Sequence, residues 1–182
     1  MYCQGKHYQK GRKKMKIDEE RAKRKLTQAE IEQLMKNREE CQYIKNVNEG
    51  EELGLPKLTA VRKIIVDQDH MGAEDLTIGY AVFQPGEYHE AHAHQECEEF
   101  MYVISGRIVG GLGDGPESIQ QAGDIMFMPR GVEHWFYNPF DEPQTHIFVY
   151  TRASLSKAGY SVESQGFKQI GEDVQKEQKK RY

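Results

Sequence analysis

The sequence predicts an all-β domain, closed as one barrel or sandwich, with a helical extension in front of it. Three observations lead there. From Val61 to Thr151, short segments rich in Val, Ile, Phe and Tyr recur between turn signals built from Gly, Pro and Asp. None of the intervening stretches has a helical period. By contrast, residues 17–40 contain no proline or glycine and carry apolar residues at helical spacing.

At 182 residues the chain is long enough for one well-buried domain. The 37% hydrophobic and 30% charged fractions describe a globular core with polar attachments. No internal repeat is visible, which excludes a duplicated barrel. No apolar run approaches the roughly 20 residues that cross a bilayer, and the first residues lack the apolar block of a secretory signal. A cytoplasmic location, with no membrane partner, is the expectation. Cys3, Cys41 and Cys97 form no CxxC pair and fit reduced thiols better than a disulfide framework.

Taken in order, the chain begins with a basic arm. Residues 1–25 hold ten Lys or Arg against three acids, a net of +7, so a total of −4 leaves −11 for the remainder. Such an arm reads first as a solvated tail, and nucleic acid is the less favoured partner for it. Met15 offers a second start, which would make residues 1–14 an upstream extension. Next, Thr27 and Glu30 fit a capping box, and Leu26, Ile31, Leu34 and Met35 form a short apolar stripe. One helix is expected, or two broken near Thr27, packed on a domain or partner subunit. Residues 46–57 read as a linker.

Strands are expected at Val61 to Val66 and Leu76 to Phe83, followed by a type II turn at Gln84-Pro85-Gly86. Further strands follow at His89 to His94, Glu99 to Ser105, Arg107 to Leu112 and Ser118 to Gln121. The set closes with Ile125 to Met128, His134 to Tyr137 and Thr145 to Thr151. The expected division is therefore arm and helical extension (1–57), barrel (58–152) and polar C-terminal segment (153–182). In that last segment Val162 and Phe167 are the candidate anchors.

His92 and His94 stand two apart, so a strand aims both imidazoles one way, about 7 Å apart. Glu98 and Glu99 follow, and either carboxylate could join them. His134 enters a returning strand behind a turn shaped by Pro129 and Gly131. Nitrogen and oxygen donors together suit a divalent transition metal with open positions. His89 has the opposite strand parity to His92 and is read as exposed. Cys97 is read as a bystander. Met101, Met126, Met128, Phe127, Trp135 and Phe136 are read as core or wall. Arg107 and Arg130 are read as surface residues, with a forked contact to a carboxylate as the alternative.

Two spacings carry a resemblance. Gly86, His92, His94, Glu99 and Gly106 are separated by five, one, four and six residues. Gly123, Pro129, Gly131, His134 and Asn138 are separated by five, one, two and three. These stretches resemble the two motifs of the cupin superfamily, over residues 86–138. The resemblance implies a small jelly-roll β-barrel, often paired as a homodimer. It implies His92, His94, Glu99 and His134 as ligands of one divalent metal ion, with Fe, Mn, Ni, Zn and Co all admissible. Glu99 is preferred to Glu98 because it keeps the six-residue gap to Gly106, and a one-residue shift turns a side chain to the other face.

Such a centre implies a metal-dependent enzyme acting on an oxygen-bearing metabolite by dioxygenase, lyase, decarboxylase or isomerase chemistry. The acid–base candidates are His146, Tyr80 and Tyr150. The alternative is a non-catalytic cupin that binds a small molecule as a sensor or regulatory module.

Overall fold

Residues 19–52 and 61–158 are described by a computed structural model. The chain divides into two compact units, Met1–Ile44 and Lys45–Tyr182.

The first unit holds α1 (Glu19–Lys23) and α2 (Gln28–Glu39). The break falls at Thr27, where the side chain accepts from the Glu30 amide at 3.4 Å and Glu30 Oε2 accepts from the Thr27 amide at 2.9 Å. Two donors that the first helical turn leaves over are thereby satisfied. The apolar stripe stays uncovered: Leu26, Ile31, Leu34 and Met35 are all exposed.

The second unit is a β sandwich. Its strands are β1 (Glu51–Glu52), β2 (Val61–Val66), β3 (Thr77–Phe83), β4 (Tyr88–His92), β5 (Glu99–Ser105) and β6 (Arg107–Leu112). They continue with β7 (Ser118–Gln121), β8 (Ile125–Met128), β9 (His134–Tyr137) and β10 (Gln144–Tyr150). A short helix, α3 (Gln68–Met71), joins β2 to β3. One sheet runs β1-β2-β3-β10-β5-β8 and the other β4-β9-β6-β7, all antiparallel. This is the jelly-roll arrangement, with a core between the sheets that includes Ile64, Phe83, Met101, Val103, Ile108, Met128, Phe136 and Phe148.

Alternation explains the layering. On β3, Thr77, Gly79, Ala81 and Phe83 are buried while Ile78, Tyr80 and Val82 are half-buried. On β10, Gln144, His146, Phe148 and Tyr150 face inward. The register carries these inward rows across the sheet: Thr77, Tyr150 and Glu99 share one, and Arg62, Ala81, His146 and Val103 share another.

Turn chemistry sits where the residues require it. Gly86 has φ 82° and the Glu87 amide donates to the Gln84 carbonyl at 3.0 Å, a type II turn. Between β5 and β6, Gly106 has φ 72°, and a Cβ there would meet the Pro143 carbonyl oxygen at 2.3 Å. Asn138, fully buried, donates to the Phe83 and Glu142 carbonyls at 3.0 and 2.8 Å. That side chain ties the β3 and β9 ends together.

Four expectations change. Glu51 and Glu52, placed in the linker, pair with Ile64 and Lys63 at the sheet edge. The C-terminal segment joins the domain through Ala153 and Ala158, both buried. Val162 and Phe167 lie outside the described residues, as do residues 1–18 of the basic arm. Phe127 is 51% exposed and Trp135 only half-buried, because both fall on outward positions. His89 is buried rather than exposed: the ladder between β4 and β9 shifts register between His89 and His92. This bulge leaves two consecutive outward residues, Glu90 and Ala91, so His89 and His92 face the same side.

Candidate metal centre

His92 ends β4, His94 lies two residues beyond it, Glu99 opens β5 and His134 opens β9. His92 and His134 are direct partners across the four-stranded sheet, and Glu99 reaches them from the opposite sheet. A further bond sets the two halves in place: the Gly131 amide of the β8–β9 turn donates to the His94 carbonyl at 2.9 Å. All four side chains are buried, and one donor atom from each lies within 4.8 Å of the others. Glu98 is not among them. Its amide and carbonyl are bonded to Thr151 instead.

Two of the three imidazoles are held in defined tautomers. His92 Nδ1 donates to the Glu90 carbonyl at 2.9 Å, and His134 Nδ1 to the Val132 carbonyl at 3.1 Å. Each bond assigns the ring proton to Nδ1 and turns Nε2 to the centre, as metal-ligating histidines require. The His134 and His94 Nε2 atoms both lie 3.1 Å from Glu99 Oε2.

Burial would push the Glu99 carboxyl upward, but the imidazoles of His134 and His94 hold it well below the usual carboxylate range. His134 experiences the converse. Burial disfavours its charged form, yet the bond to Glu99 raises it above the ordinary imidazole value. Burial and the neighbouring His134 push His92 down to about 3. The site is thus an anionic carboxylate among three imidazoles, and a shared proton or a cation answers its charge. Three borderline nitrogen donors and one oxygen donor, with two tautomers already fixed, fit a divalent transition metal.

Other candidates are placed as follows. Tyr150 is buried with its ring edge-on to His94 at 4.9 Å between centroids. His146 is buried two inward positions further along β10, its Nδ1 2.9 Å from Gln144 Oε1. Tyr80 is not brought to the centre, because it occupies an outward position of β3 between Gly79 and Ala81. Cys97 is buried in the core, its thiol 3.4 Å from the Ala158 carbonyl, and burial pushes it up to about 12. It lies outside the four-residue cluster. Arg107 is paired with Glu142 at 2.9 Å and Arg130 is exposed.

Two interior residues escaped the sequence reading. His89 stacks on His92 with ring centroids 4.0 Å apart. Arg62 is an inward residue of β2, 5% exposed. The spacing of His89 carries no signal of a bulge, and a charged residue beside Lys63 reads as outward. A groove along β4 and β9 is lined by Tyr88, Glu90, Ala91, Trp135 and Tyr137, together with His89 and Phe136.

Comparison with known proteins agrees with this geometry. Residues 79–150 match the family model described as "Cupin domain". Over 78 residues the chain is 35% identical to "Polyketide synthase CurC" of Streptomyces cyaneus, covering 43% of this chain and 50% of that protein. The chain spans about half the length of the curated relatives it matches. An uncharacterised conserved protein with a double-stranded β-helix domain from Klebsiella pneumoniae superposes with a TM-score of 0.51 at 22% identity. That match covers 62% of this chain and 91% of the other. A predicted oxalate decarboxylase from Thermotoga maritima superposes with a TM-score of 0.54 at 17% identity, covering 60% of this chain and 98% of that one. At these identities the structures speak for the fold. The jelly roll, both motifs in place around one buried site and the family match together mark residues 79–150 as a cupin domain.

Proposed function

We propose that the chain is a metal-dependent enzyme acting on a small oxygen-bearing metabolite. His92, His94, Glu99 and His134 would hold the metal. One observation carries the reading: a buried carboxylate and three imidazoles, two with their tautomers fixed by backbone carbonyls, converge on one point. When bound there, such an ion would supply Lewis-acid polarisation of a substrate oxygen. The fold likeness to a protein described as a predicted oxalate decarboxylase is in keeping with this reading.

The chain's own residues divide the remaining work. Tyr150 packs on His94 and supplies a phenol beside the centre. His146 is held neutral: burial, aided by the charge of Arg62, pushes it down to about 3. With its Nδ1–H donating to Gln144 Oε1, the other ring nitrogen is an acceptor. It suits orienting a substrate hydroxyl more than removing a proton at neutral pH.

The test begins with the metal content of purified protein. His134→Ala should lose most of the bound metal, and full stoichiometry in the variant would overturn the site. Metal-loaded protein is then offered small hydroxy and carboxylic acids while dioxygen uptake and products are followed. Stoichiometric metal with no turnover of any of them would favour the alternative, a metal-containing binding module.

We also propose a homodimer formed through the β8 edge. This edge strand exposes Ile125 (65%) and Phe127 (51%), and the adjoining outward positions of β5 expose Tyr102 and Ile104. An apolar strand edge, unpaired among the described residues, is a template for a second copy.

A further inference from the structure

Arg62 stands out among the buried groups that the metal centre does not use. Its guanidinium lies 5.4 Å above the centre of the Phe83 ring, and neither Nη1 nor Nη2 has a hydrogen-bond partner. A buried guanidinium cannot escape the cost of desolvation by shedding its proton. A single cation–π contact returns only part of that cost.

No acid of the described interior is disposed to answer this charge. Among the described residues the buried carboxylates are Asp67 and Glu99. Asp67 accepts from the Asp69 and His70 amides at the start of α3, and Glu99 is engaged with His94 and His134. The imidazoles nearest to Arg62 bring no negative charge. Its own field helps to keep both His89 and His146 neutral.

The neighbourhood is instead rich in donors. Gln144 shares the inward side of β10 with His146 and pairs in register with Phe83. Its Nε2 is buried and also has no hydrogen-bond partner. Ala81 stands between Arg62 and His146 in their shared row, and the charge of Arg62 is felt at His146. Three donor atoms of two side chains thus lie inside the barrel with no protein acceptor. His89 links this region to the metal ligands through its stack on His92.

We propose that Arg62, assisted by the Gln144 amide, is a subsite for a substrate carboxylate, so that the substrate is an organic acid. One carboxylate would take the fork of the guanidinium, whose planar donors match it in pairs. Another oxygen of the same molecule would face the His92, His94, Glu99 and His134 centre. This proposal rests on the metal-centre reading for the second contact only; the Arg62 contact stands without it.

The experiment titrates metal-free and metal-loaded full-length protein with malonate, succinate and glutarate, using acetate and uncharged succinamide as controls. Binding is followed by ligand-observed NMR and calorimetry. At least one diacid should bind saturably, and at least tenfold more tightly than succinamide. Arg62→Met should weaken that diacid tenfold or more, keep its metal content and keep or raise its Tm. Arg62→Lys should retain part of the affinity, since it keeps the charge without the fork. Should Arg62→Met fail to fold, the Lys variant and the contrast between acid and amide in the unaltered protein decide the matter.

No saturable diacid binding, equal binding of succinamide, or undiminished binding by Arg62→Met would each overturn the proposal. Normal metal content with no acid binding would refute this subsite and leave the metal centre standing. Acid binding that depends on Arg62 in a protein that takes up no metal would do the reverse.

Discussion

Single residues around the candidate centre divide into those placed where a metal ion could be held and those that keep them in place. His92, His94, Glu99 and His134 belong to the first kind. Asn138, Gly86 and Gly106 belong to the second, although the same two motifs contain them all. Gly106 shows the distinction most directly. Its φ of 72° is in the left-handed region, and the nearest obstruction to a side chain is the Pro143 backbone, which cannot swing aside. Gly106→Ala should destabilise the domain by about 2–4 kcal/mol in denaturant unfolding. The folded fraction should still bind metal in full. Loss of metal at unchanged stability would assign Gly106 to the site itself.

At the scale of elements, much of the sandwich was legible in the sequence. The limits of β2 and of β5 to β9 coincide with the expected segments because alternation and turn residues agree there. Glu99 rather than Glu98 joins the buried cluster, since the parity of β5 allows only one of them to face inward. What escaped was local deviation from regular geometry. The bulge in β4 turned His89 inward although simple alternation sent it outward. Arg62 escaped for another reason: charge normally marks the solvent face, and the sequence offered Arg107 and Arg130 as more obvious partners for a carboxylate. Both of those are surface residues. The β8 edge yields its own prediction. Phe127→Asp places a charge in the proposed pairing surface and should convert a dimer to a monomer in sedimentation analysis, with metal content unchanged. A wild-type monomer at micromolar concentration would refute the pairing.

For the molecule as a whole, the buried imidazoles predict how stability follows pH. Burial first, then the charge of Arg62, pushes His146 down to about 3 from an ordinary 6.5. His89 is pushed well below its ordinary value by burial and by the neighbouring imidazoles and Arg62. Between roughly pH 6.5 and 3 the unfolded chain therefore binds protons that the folded chain refuses. Stability rises with pH across that window and is lost as pH falls through it. For His146 alone the loss is on the order of 2 kcal/mol at pH 5. His134 is shifted the opposite way by Glu99 and offsets part of this. Metal-free protein should thus show a falling Tm from pH 6.5 to 4.5, and His146→Gln should flatten the slope. An unchanged slope in that variant would place the acid sensitivity elsewhere.

The bulge at Glu90 and Ala91 has a consequence for how the strand tolerates a change in length. Removing one of the two would restore strict alternation and leave both His89 and His92 facing inward, so the fold and the ligand count would survive. Deleting Glu90 in particular would also remove the carbonyl that receives the His92 Nδ1 proton. The ring could then carry its proton on either nitrogen, and half of its orientations would present an N–H to the ion. A loss of 10- to 100-fold in metal affinity is the usual scale for such an anchor. The extra residue thus acts as a register mark for a proton.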